Sequence, residues 1–128
     1  MATENMVLST SWPASGDLSS YQYHAVKITN GEAALCGASD IPIGILQNQP
    51  DADGVAAEVG LIGISKAVVD GNSANVAIGD FLAVNSSGHL IKTTTASDQV
   101  VAQALEAVVA DGIVAKVLLA PMSTYNQS

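Results

Sequence analysis

The chain has 128 residues, the length of one domain, with twelve Asp and Glu against four lysines and no arginine, for a net charge of −8. That balance excludes a nucleic-acid binder, which needs cations to displace counterions from phosphates, and a binder of anionic membranes. At 48% apolar and 12% charged residues the chain is too hydrophobic to be disordered.

Residues 1–18 read as an extended N-terminal arm. They are rich in Ser and Thr, carry Trp12, Pro13 and Gly16, and show neither a helical nor a strand period. Met1 to Glu4 has no basic region and no apolar run, so it lacks the pattern of a secretory leader. No apolar stretch is long enough to span a membrane as a helix. Residues 19–121 read as a single β domain, and 122–128 as a polar tail. Short β-like runs are split by turn residues. Tyr21 to Ile28 is one run, turned at Asn30-Gly31, where both residues tolerate positive φ, and Glu32 to Cys36 returns. Ile41 to Gln47 follows, then a turn at Asp51 to Gly54. A long stretch from Val55 to Val69 is expected to bend at Gly60 and Gly63. Phe81 to Val84, a turn ending at Gly88, and His89 to Thr95 form another hairpin. Ile113 to Leu119 is the last strand, expected to stop at Pro121.

Asp98 to Ala110 is ambiguous. Asp98 suits a helix cap, and Val101, Ala104, Leu105 and Val108 fall on one helical face. An internal repeat argues for a strand instead. At an offset of 58, residues 25–61 match 83–119 at eleven of 37 positions without a gap. Ala25-Val26 falls on Ala83-Val84, Ala38-Ser39-Asp40 on Ala96-Ser97-Asp98, and Ala52-Asp53-Gly54 on Ala110-Asp111-Gly112. Ala57, Val59 and Leu61 fall on Ala115, Val117 and Leu119. The matched triplets lie at turns, where Asp bonds its own backbone and Gly relieves strain. Two copies, about 21–63 and 79–121, are too few for a solenoid and suit one pseudo-twofold domain. Residues 42–49 contain Pro42 and Gly44 and are followed by Pro50, so they make a poor helix. Their mates at 100–107 are therefore read as a strand. The expected class is all-β, a small barrel or sandwich with an extended arm.

The sequence offers no catalytic constellation. His24, His89 and Cys36 are too few and too scattered for a zinc site. Cys36 reads as a small buried hydrophobe, and a lone thiol suits synthesis in a reducing cytosol. Asp51 and Asp53 hint at a calcium loop, but Ile62 stands where its closing Glu belongs. No Gly-x-Ser-x-Gly elbow and no phosphate loop occur. The expected cofactors are none. What remains is an interaction role. Met6, Val7, Leu8, Trp12 and Pro13 of the arm could pack on a neighbour or cover their own domain, with the neighbour favoured because Trp is a common interface anchor.

The ordered runs resemble a known family. Gly16-Asp17-Leu18-Ser19-Ser20-Tyr21-Gln22-Tyr23-His24-Ala25-Val26-Lys27 looks like the opening of the capsid cement, or head-decoration, proteins of tailed bacteriophages. Pro42-Ile43-Gly44-Ile45-Leu46-Gln47, Gly79-Asp80, Ala104-Leu105-Glu106-Ala107 and Val117-Leu118-Leu119-Ala120-Pro121 extend the likeness over residues 16–121. The family often carries Arg where this chain has His24. The resemblance implies a lambda-type, β-tulip-like fold and a non-enzymatic virion protein made in the host cytoplasm. It would bind the major capsid protein on the outer surface of the mature shell, as a homotrimer at local threefold positions, with no nucleic acid or membrane partner. The alternative is a small receptor- or glycan-binding module of a phage fibre or adhesin, for which Trp12, Tyr21 and Tyr23 are the candidate aromatics.

Overall fold

The computed structural model describes residues 5–38, 40–72, 74–93 and 99–124. They form nine strands and no helix: β1 (Asn5–Pro13), β2 (Ala25–Thr29), β3 (Glu32–Leu35), β4 (Gly44–Leu46), β5 (Ala56–Val69), β6 (Phe81–Val84), β7 (Leu90–Lys92), β8 (Gln99–Ala104) and β9 (Ile113–Thr124). Strands β5, β7, β6, β8 and β9 close into a small five-stranded barrel through the β5–β9 ladder. Strands β4, β2 and β3 extend the sheet from the first half of β5, and β1 pairs with that same half.

The repeat organises the fold. Strands β2 to β5 and β6 to β9 share one pattern: first with second, first with third and third with fourth, all antiparallel. The offset of 58 holds for the last two strands. Ile45↔Gly60 and Leu46↔Val59 become Gln103↔Leu118 and Ala104↔Val117. It does not hold for the first strand, whose offset is 56: Ala25↔Ile45 becomes Phe81↔Gln103. The identity of Ala25-Val26 with Ala83-Val84 is thus not a structural equivalence. The second copy has one extra residue in the β6–β7 turn and one between β7 and β8. Strand pairing tolerates such additions, since they stay in connections.

The equivalence extends to individual bonds. Tyr23 N–H donates to the Leu46 carbonyl at 2.7 Å, and Gly79 N–H to the Ala104 carbonyl at 2.8 Å. Both residues take positive φ, 68° for Tyr23 and 95° for Gly79. The first copy places a side chain where the second uses glycine, at a cost of about 1–2 kcal/mol. The Tyr23 ring packs against the barrel core, which offsets that strain.

Two apolar clusters result. One fills the barrel, with Ile45, Leu82, Leu90, Val101 and Val117 fully buried. The other lies under β1 to β4 and holds Leu18, Val26, Leu46 and Val59, with Trp12, Tyr21 and Ile43 packed on it. Each fully buried Leu or Val contributes about 1.5–3 kcal/mol. Buried alanines, among them Ala25, Ala57, Ala67 and Ala102, keep the layers thin and let strands approach.

Several expectations are corrected. Residues 5–13, expected as an extended arm without a strand period, form an edge strand on their own domain. Its period is hidden because the register shifts between Met6 and Leu8 and again between Leu8 and Ser9. Tyr21 to His24 is a turn, so β2 begins only at Ala25. Pro121 does not end β9, which runs on to Thr124. The β8–β9 ladder jumps from Ala102↔Leu119 to Val100↔Ser123, so Pro121 sits in the break, where no ladder bond asks for its missing N–H. The strand reading of 99–104 stands against the helical propensity of the segment.

Candidate functional site

The turn residues sit as follows. Asn30 (φ 51°) and Gly31 (φ 75°) make the two-residue turn between Thr29 and Glu32. Gly54, Gly88 and Gly112 also take positive φ. Asp40 accepts the Gly37 N–H at 2.8 Å and the Lys27 ammonium at 3.0 Å, contacts that hold its carboxyl below the usual range, the Gly37 bond most. Asp53 accepts the Gly16 N–H at 3.1 Å, which ties the turn before β5 to the segment after β1. Asp98 lies outside the described residues.

The surface with interaction character is built by β1, β5 and β9. Strand β1 pairs with β5 from Asn5↔Ile64 to Pro13↔Ala56, and its other edge carries no ladder among the described residues. Met6 lies opposite Gly63, and Val7 falls in the register shift. Trp12, opposite Ala57, turns inward onto the second core cluster. Leu8 turns outward opposite Ile62, and the two are 47% and 45% exposed. Two residues along β5, Ile64 faces Leu118, and across β9 and β8 the same row reaches the exposed Phe81. The arm residues thus divide: Trp12 anchors the strand to its own domain, while Leu8 offers apolar surface beside a free strand edge. A free edge with apolar neighbours is the arrangement that accepts a further strand or a flat protein surface.

A second grouping was invisible in the sequence. His24, before β2, and His89, after the β6–β7 turn, bring their rings to 4.9 Å, and Tyr21 lies edge-on to His24 at 5.4 Å. His89 Nδ1 meets Asp111 Oδ1 at 2.8 Å, and His24 Nδ1 lies 3.2 Å from the Gln22 carbonyl. The contact joins the two copies, as does the bond from Ala25 N–H to the Gly88 carbonyl. No linear spacing announces it, because 65 residues separate the imidazoles. Among the described residues no three His, Cys, Asp or Glu side chains converge as a metal site requires. Cys36 is buried, and burial pushes its thiol up to about 11, with Asp40 adding to the effect, so it is a poor nucleophile at neutral pH.

The histidine pair gives a pH prediction. Burial holds His24 below its ordinary value of 6.5, and the adjacent His89 lowers it further against the opposing pull of the backbone carbonyls. The unfolded chain therefore binds this proton more readily than the folded one. The stabilising contribution of neutral His24 is full above the unfolded value and is lost as pH falls below it toward the folded value. Thermal melts from pH 7.5 to pH 5 are expected to show a falling midpoint. The fall should be shallower in His24→Gln; equal slopes in the two proteins would show that His24 does not carry it.

No family model matches the chain, and no curated protein matches it. A solved structure does. The chain is similar to the N base of the head fibre protein gp8.5 of bacteriophage phi29, with a TM-score of 0.68 over 91% of this chain and 98% of that one, at 16% identity. The likeness is one of fold.

Proposed function

We propose that this chain is a non-enzymatic structural protein of a phage head, seated on the outer surface of the mature capsid, where it binds the major capsid protein and stabilises the shell. The observation that carries the reading is the fold shared nearly end to end with a head-fibre base. The surface chemistry supports it. A protein that sits outside a DNA-filled shell gains from a net charge of −8, which keeps it soluble and off nucleic acid. The outward row of Leu8, Ile62, Ile64, Leu118 and Phe81 supplies apolar contact without arginine anchors. Assembly as a homotrimer at local threefold positions would multiply modest contacts by avidity.

The fibre character of the structural neighbour favours one second reading, in which the domain is a base or receptor-binding module of a fibre. One experiment separates the two. Purified protein is mixed with expanded shells and with unexpanded procapsids of its phage, and occupancy is read by gel and by image reconstruction. Saturable binding to expanded shells, with little to procapsids, is the expected result. Equal binding to both overturns the maturation-dependent clamp. No binding to either, together with binding to host cells, favours the fibre module.

A further inference from the structure

Of the four lysines, two are neutralised locally. Lys27 pairs with Asp40 at 3.0 Å and Lys92 with Asp80 at 3.7 Å. The other two stand directly opposite one another, Lys66 on β5 and Lys116 on β9. They point outward, since their ladder neighbours Ser65, Ala67, Ala115 and Val117 are buried inside. Neither ammonium lies within ion-pair distance of a carboxylate among the described residues. Like charges directly opposed on a sheet oppose folding. The Tyr23 ring, 5.6 Å from Lys66 Nζ, compensates in part. Among the described residues, the two lysines without an ion-pair partner are thus gathered at one spot, where the Glu106 carboxylate accepts the Lys116 backbone N–H at 2.6 Å, and Leu118 and Val114 flank it, 39% and 44% exposed.

The complementary charge lies on the same chain but out of reach. Asp17, Asp51 and Asp53 are exposed on two loops bound together by Leu18 N–H to the Pro50 carbonyl, Gly54 N–H to the Ala14 carbonyl and Gly16 N–H to Asp53. These loops precede Ala56, and from there to Lys66 the strand runs ten residues, about 33 Å at 3.3 Å per residue. We infer that the Lys66–Lys116 face of one copy receives the Asp17, Asp51 and Asp53 loops of a second copy. The contact joins two different patches, so it is head-to-tail, the kind that closes into a ring when the rotation allows. The exposed Val114, on the side of the lysines away from Leu118, supplies the apolar part of the seat. The inference rests on the oligomeric part of the proposed function and names the surfaces that would make it.

The test is sedimentation velocity on the full chain over a concentration series, in low and in high salt. Wild type is expected to associate, and high salt to weaken the association. Lys66→Glu with Lys116→Glu is expected to weaken it about tenfold or more, and Asp51→Lys with Asp53→Lys similarly. Mixing the two variant proteins, each carrying the charge the other lacks, should restore association between unlike chains, in even-numbered assemblies, since an odd ring leaves one contact between like variants. Circular dichroism checks folding, and Lys66→Gln with Lys116→Gln serves where the Glu variant does not fold. A wild type monomeric throughout overturns the oligomeric reading itself. A wild type that associates, with lysine and aspartate variants that associate equally well, leaves that reading standing and overturns this interface.

Discussion

Gly44→Ala is expected to destabilise the domain by about 3 kcal/mol, read as a lowered midpoint of chemical unfolding. A Cβ at Gly44 would fall onto the Gly60 carbonyl oxygen and lie 2.9 Å from Val59 Cγ1. The obstacle is backbone, which no rotamer change can move, so β4 must separate from β5 at the junction of the two core clusters. The control is Gly31→Ala. Gly31 has a positive φ but nothing within 4 Å of the added atom, so its cost is limited to the left-handed conformation, about 1–2 kcal/mol. Comparable losses at the two positions would contradict the packing account. The repeat makes the prediction pointed, since the equivalent of Gly44 is Ala102, itself fully buried. In the second copy the ladder runs on through Ala102↔Leu119, whereas in the first it ends at Ile45↔Gly60 and Gly44 lies over that carbonyl. Sequence alignment of the copies would permit alanine; the geometry forbids it.

Deletion of residues 2–14 is expected to cost several kcal/mol, a large share of the roughly 5–15 kcal/mol that holds a domain together. The deletion removes the partner of β5 from Ala56 to Ile64, the packing of Trp12 on the second cluster and the fully buried Ala14. It also exposes a new strand edge, which invites aggregation. A deletion variant as stable as wild type would show that β1 is dispensable to the fold. For the same reason, lost capsid binding in the deletion variant cannot be assigned to a missing contact. Leu8→Ser is the cleaner probe of that contact, because Leu8 is half exposed and its loss leaves the ladder intact.

The fate of residues 5–13 shows where sequence reading stops. An edge strand is held largely by backbone bonds, so its side chains need not alternate, and two register shifts erase what alternation there is. The segment at 98–110 shows the opposite case. Its local propensity favours helix, but its place in the repeat requires the strand found at Gln99–Ala104. The candidate surface was partly legible. The sequence singled out Leu8 and Trp12 together, and the fold sends one outward and the other inward. Nothing in the linear order announced the pairing of His24 with His89 or of Lys66 with Lys116, because each joins residues 50 or more positions apart.

The sequence by itself determined the all-β class, the duplication and the acidic, arginine-free surface. These depend on composition, turn chemistry and matched positions, which survive without knowledge of distant contacts. Only the tertiary structure decided that the first strand folds back on its own domain, that the copies are offset by 56 in their first strand, 57 in the second and 58 in the last two, and which side chains meet. Those outcomes depend on register and barrel closure, where a shift of one or two residues costs little locally yet changes every neighbour across the sheet.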